Sequence, residues 1–97
     1  MLHIISANTG YEVLFERFAR EGDVLLFVEN AVLCVHKNSQ SAKTILAYCQ
    51  RFQCYALEAD LLARGLGLDE ILPEITRVDY QGFVSLTVEH EVIKTWD

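Results

Sequence analysis

Short apolar runs alternate with helix-spaced apolar stripes along this chain. Residues 2–6 form a short apolar run with the length of a buried strand, and residues 7–10 are small and turn-forming. Between residues 11 and 20, Tyr11, Leu14, Phe15 and Phe18 stand at i, i+3, i+4 and i+7, one face of a helix. Asn8 or Thr9 can cap its start and Gly22 closes it. Residues 23–29 hold the unbroken run Val24, Leu25, Leu26, Phe27, Val28, too short for a buried helix and bounded by turn residues, which predicts a central parallel strand. Residues 31–35 are apolar again, and five residues fit a short helix or a strand. Ser39 or Ser41 can cap a second helix, whose inner stripe is Ala42, Ile45, Leu46 and Cys49. Residues 53–57 then read as a strand. Residues 58–64 read as a short helix with an acidic first turn, ended by Gly65.

Strand, helix, strand, helix, strand, helix is the signature of βαβ units, so the fold class is α/β, with helices packed on a small, mainly parallel sheet. Residues 66–74 form a loop that holds the only proline, Pro73, and residues 75–79 a fourth strand. The next stretch carries two periods. Val84, Leu86 and Val88 alternate with Ser85 and Thr87 as in a strand, while Tyr80, Phe83, Val84 and Thr87 share a helix face. Residues 91–97 read as a mixed tail containing the only tryptophan, Trp96.

Ninety-seven residues predict one domain, residues 1–97, with no room for a linker. The apolar share, 52%, sits slightly above that of an ordinary soluble domain, which suits a sheet buried on both faces or a surface covered by a partner. Fourteen acidic and eight basic residues give a formal charge of −6, and no stretch gathers Lys or Arg into a phosphate-binding stripe, so direct nucleic-acid binding is disfavoured. The opening apolar run is too short for a signal sequence or a membrane span, so the expected location is the cytoplasm. Three cysteines, Cys34, Cys49 and Cys54, with no metal-type spacing, are expected as reduced thiols.

Candidate chemistry is sparse. Asn8-Thr9-Gly10 follows the first strand, but one glycine does not make a phosphate cradle, and no cofactor is implied. His3, His36 and His90 are far apart, which reads as scattered surface or boundary histidines and no metal site. A reactive thiol needs a solvent path and a helix N-terminus or nearby cations. Cys49 lies on the inner stripe near a helix C-terminus, and Cys34 lies in an apolar run, so both read as structural. Cys54 has Arg51 nearby and is the candidate if any thiol is reactive. Tyr80, Phe83 and Trp96 are the candidate partner-interface residues, since aromatics near a domain edge often anchor partners, although packing of the last element explains them equally well.

The run Tyr55-Ala56-Leu57-Glu58-Ala59-Asp60-Leu61-Leu62-Ala63-Arg64-Gly65-Leu66, followed by Val78-Asp79-Tyr80 and Phe83-Val84-Ser85-Leu86-Thr87-Val88, closely resembles the TusB family of sulfur-relay proteins, also called DsrH-like. Met1-Leu2-His3 and Trp96 match the same pattern. The resemblance spans nearly the whole chain and implies a three-layer α/β/α sandwich of the DsrE-like kind, with residues 80–90 helical. It further implies a non-catalytic subunit in a complex with two homologous sister subunits, C and D, that passes persulfide sulfur toward 2-thiolation of the wobble uridine of tRNA. In that family the relay thiol belongs to the D subunit, just ahead of a helix ending in a comparable Arg-Gly. Counting back from Arg64-Gly65, the place is taken here by Leu57, which cannot carry sulfur. Some sulfur-oxidising relatives keep a cysteine in the first helix, and residues 11–20 have none, which favours the tRNA-thiolation branch. Two alternatives stand beside this reading: a small persulfide carrier using Cys54, and a stand-alone homo-oligomer.

Overall fold

A computed structural model describes residues 1–97. Its elements are β1 (Leu2–Ile5), α1 (Glu12–Phe18), β2 (Val24–Phe27), a 3-10 segment (Glu29–Val35), α2 (Ala42–Arg51), β3 (Gln53–Leu57), α3 (Glu58–Ala63), a 3-10 turn (Leu68–Glu70), β4 (Thr76–Val78), α4 (Tyr80–Glu89) and β5 (Ile93–Trp96). The five strands lie in the order β4-β3-β2-β1-β5, and every neighbouring pair is parallel.

That order dictates the layers. From β1 to β4 the chain steps across the sheet in one direction, and right-handed crossovers put the connecting helices on one face. From β4 it returns past the whole sheet to β5 at the opposite edge, and the same handedness puts α4 on the other face. The core divides accordingly. Ile5, Leu25, Phe27, Cys54, Ala56 and Trp96 point toward Phe15, Ile45, Tyr48 and Leu61 in the larger cluster. Leu2, Val24, Leu26 and Val28 point toward Leu86, with Phe83 packed beside them. All four residues of β2 are buried, as a strand covered on both faces requires.

Residues 31–35, open between helix and strand, lie in the 3-10 segment, which buries Ala31, Val32, Cys34 and Val35. Residues 84–88 are helical. Asp79 caps α4 by accepting from the Gly82 amide at 2.8 Å, and the burial of Leu86 with half-buried Phe83, three residues apart, follows the helical period. The period-two alternation loses because Val84 and Val88, which a strand would turn inward with Leu86, are exposed.

Three expectations are corrected. The tail of residues 91–97 contains β5, paired with β1 from Leu2 opposite Ile93 to Ile5 opposite Trp96. The inner stripe of α1 is narrower than its sequence suggests: Tyr11 and Phe15 are buried, whereas Leu14 and Phe18 are 51% and 54% exposed. His3 is no surface histidine. It is fully buried in the middle of β1, where its Nε2–H donates to Asp23 Oδ2 at 2.8 Å and its Nδ1 accepts from Trp96 Nε1–H at 3.1 Å. Asp23 also accepts from the Arg20 amide and the Met1 amino group, so this polar cluster leaves no buried side-chain donor or acceptor unpaired. Gly22, in the turn before it, holds a φ of +88°, where a side chain would be strained.

Candidate functional site

In parallel α/β sheets, ligand chemistry collects beyond the carboxyl ends of the strands. Here that edge holds a groove of about 470 Å³ lined by Ser6, Val28, Glu29, Leu57, Asp60 and Phe83 among others. Leu57 ends β3 and serves as the extended residue from which α3 starts. Its side chain faces the α4 side, packed against the smaller core cluster.

The Asp60 to Arg64 run is accounted for by local bonding. Asp60 Oδ2 accepts from the Glu29 amide at 2.6 Å, where Glu29 takes the left-handed φ of 51° that opens the 3-10 segment. Arg64 lies one turn further along, 3.8 Å from Asp60 Oδ1, and both its Nε and one terminal nitrogen donate to Asn30 Oδ1 at 3.3 and 3.2 Å. Gly65, at φ +70°, then lets the chain leave the helix. The motif thus fastens the start of the 3-10 segment to α3. Its charged groups are paired with one another, and the groove beside it holds carboxylates and no thiol.

The thiols lie elsewhere. Cys34 is buried and donates to the Asn8 carbonyl at 3.1 Å; burial pushes its pKa up. Cys54, the candidate reactive thiol, is only 4% exposed and points into the larger core from the amino end of β3. Its pKa is pushed up, first by hydrogen bonding with Cys49 and then by burial. Cys49, in the last turn of α2, is half-buried, and hydrogen bonding from Cys54 lowers its pKa despite its desolvation. Sequence reasoning placed Cys49 on the inner stripe and therefore missed that it is the more accessible of the two.

The histidines do not converge. His36 Nδ1 accepts from the Asn38 amide at 3.0 Å and its Nε2 is 3.6 Å from Glu70; His90 Nδ1 donates to the Leu86 carbonyl at 2.8 Å. No three metal-ligating side chains come together. No helix is long and apolar enough to cross a membrane.

The three aromatic interface candidates separate. Trp96 is 7% exposed, packed edge-on to Phe15 and hydrogen-bonded to His3, so it is a core residue and not a surface anchor. Phe83 is half-buried between α4 and the sheet, with Tyr80 edge-on to it at 6.1 Å. Tyr80 is 72% exposed and begins a stripe continued at i+4 and i+8 by Val84 and Val88, the last 79% exposed. This outward apolar stripe of α4 faces away from its own core. Leu14 and Phe18 make a second exposed apolar patch on α1, where Lys94 lies over the Phe18 ring at 5.5 Å.

Comparison with known proteins agrees with this architecture. The family described as DsrH like protein matches residues 11–93. Protein TusB of Buchnera aphidicola subsp. Baizongia pistaciae is 36% identical, over 99% of this chain and 100% of the relative. Protein TusB of Shigella flexneri is 33% identical over the same shares. Among solved structures, MTH1491 of Methanobacterium thermoautotrophicum, described as a protein of unknown function, superposes with a TM-score of 0.76 at 14% identity, covering 97% of this chain and 95% of that one. The ychN protein of E. coli superposes with a TM-score of 0.72 at 11% identity, covering 98% and 97%. With the family match covering residues 11–93, the α3 motif included, and relatives more than 30% identical over nearly the whole chain, the chain belongs to the DsrH-like family.

Proposed function

We propose that this chain is a non-catalytic subunit of a sulfur-relay complex, assembled with homologous C and D sister subunits, that passes persulfide sulfur toward 2-thiolation of the tRNA wobble uridine. The observation that carries the reading is the residue at the β3–α3 junction. Where the family resemblance puts the relay thiol of the D subunit, this chain has Leu57, and the groove there offers no thiol. The chemistry then belongs to a sister chain. A second observation supports assembly: Tyr80, Val84 and Val88 form one exposed apolar stripe along the outer face of α4.

The Cys54 carrier is the weaker reading, because that thiol is buried and its pKa is raised, which leaves little exposed thiolate to take up sulfur. Co-expression with the two sister subunits tests the proposal. A complex of fixed stoichiometry by native mass spectrometry is expected, and Val84→Asp with Val88→Asp should loosen it without unfolding the chain. A soluble monomer that ignores both sisters would overturn it.

A further inference from the structure

Four residues separate Cys49 from Cys54, and the chain between them turns back on itself. Helix α2 ends at Arg51, Phe52 is extended at φ −129° and ψ 156°, and β3 begins at Gln53. Alternation along β3 points Cys54 toward the face that α2 covers, and Cys49 packs against that same core. Both side chains line one hollow of about 280 Å³ at the amino end of the sheet, together with Phe52, Gln53 and Glu74. Cys49 also borders an adjoining hollow of about 500 Å³ beside Arg51, Glu89 and His90. Cys49, half-buried and bordering both hollows, is thus the more accessible thiol, while Cys54 is 4% exposed.

We propose that Cys49 and Cys54 form a reversible redox pair: a low-molecular-weight disulfide is attacked by Cys49, and Cys54 then closes an intrachain disulfide. The first step joins the Cys49 thiolate to one sulfur of the reagent and releases the other half as a thiolate. In the second, Cys54 gives up its proton, attacks the Cys49 sulfur and displaces the remaining half. Two cysteine thiols lose two electrons in total, and one disulfide becomes two thiols.

The order of the steps follows from position and charge. Cys49 is the reachable thiol, and its contact with Cys54 favours the thiolate. Cys54 is 4% exposed and its Sγ donates to the Phe52 carbonyl at 3.9 Å, which keeps it the protonated thiol and the second to react. Once Cys49 is a mixed disulfide, Cys54 lies beside its sulfur in the same hollow and is the thiol placed to attack it. Glu74, which lines the same hollow, opposes the Cys49 anion. In a reducing compartment the pair rests as dithiol and closes only when oxidised disulfide accumulates. The device lies at the end of the sheet opposite Leu57 and does not depend on the relay reading.

Arg51 lies between the two thiols, so trypsin cuts the chain there and leaves residues 44–51 and 52–64 joined only if the disulfide has formed. The full chain is incubated with glutathione disulfide, free thiols are alkylated, and the digest is read by mass spectrometry before and after dithiothreitol. The expected product is the linked pair of peptides, released by dithiothreitol, with Cys34 alkylated throughout. At early times the glutathione adduct should sit on Cys49. In a Cys54→Ser variant that adduct should accumulate, and in Cys49→Ser the Cys54 thiol should react at least about tenfold more slowly than Cys49 does. Separate alkylated peptides at saturating disulfide, a link involving Cys34, or an adduct that forms first on Cys54 would each overturn the proposal. Should either serine variant fail to fold, the time course of the unsubstituted chain decides both the link and its order.

Discussion

Trp96→Phe tests whether the last strand is part of the fold. The indole Nε1–H satisfies His3 Nδ1 at 3.1 Å inside the larger core, and no other side chain donates to that nitrogen. Phenylalanine keeps the ring contact with Phe15 but leaves a buried acceptor unpaired, at a cost of about 1–3 kcal/mol. The missing ring atoms open a gap of about 40 Å³, which at about 24 cal/mol per Å³ adds about 1 kcal/mol. The expected loss is thus about 2–4 kcal/mol, a large fraction of the total stability of a domain this size. The thermal midpoint should fall by about 10 °C or more. Urea unfolding followed by far-UV circular dichroism measures the loss directly. In the unsubstituted chain the emission of the single tryptophan should be blue-shifted in the native state and move red on unfolding. Because His3 and Trp96 share one hydrogen bond, His3→Leu combined with Trp96→Phe should cost less than the sum of the two by about 1 kcal/mol. A Trp96→Phe loss below about 0.5 kcal/mol, the range of ordinary surface substitutions, would refute the reasoning and return residues 91–97 to a frayed tail.

Three further outcomes follow from particular residues. Burial alone would raise the Asp23 pKa, but hydrogen bonds from His3, the Arg20 amide and the Met1 amino group, together with the charge of that group, hold it below the ordinary carboxylate range. A lowered native pKa gives stability that is full above the unfolded value of about 3.9 and lost as pH falls through the native value, so Asp23→Asn should be destabilised at pH 7 and show a flatter acid limb in urea titrations. Asp79→Ala removes the α4 cap and should cost about 1 kcal/mol by urea unfolding. Gly82→Ala, which would ordinarily favour a helix by about 1 kcal/mol, should instead be neutral or destabilising, because its Cβ would lie 3.0 Å from Val78 Cβ on the adjoining strand.

The sheet order explains which parts of the fold were legible. Strands β1, β2 and β3 and helix α2 announce themselves because burial on one or both faces leaves unbroken runs or clean stripes. Strand β5 does not. It is an edge strand with only Trp96 buried, so Ile93, Lys94 and Thr95 carry little periodic signal, and its partner β1 lies at the other end of the sequence. Helix α4 could not be separated from a strand by period because its outer face is apolar too, which is the same property that makes it a candidate contact surface. The Leu57 position was legible through the Arg64-Gly65 motif alone. The Cys49 and Cys54 pairing was not, since their separation spans a helix end and a strand start and only the tertiary turn brings them to one hollow.

The most direct test of the account is tRNA thiolation supported by a cysteine-free chain. Cells lacking this subunit would be supplied with the Cys34→Ala, Cys49→Ala, Cys54→Ala variant, its assembly with the sister subunits confirmed by native mass spectrometry, and the 2-thiouridine content of tRNA measured. The account predicts thiolation at the level given by the unsubstituted chain, because the proposed role puts the sulfur on a sister subunit. Loss of 2-thiouridine with the complex intact would contradict it.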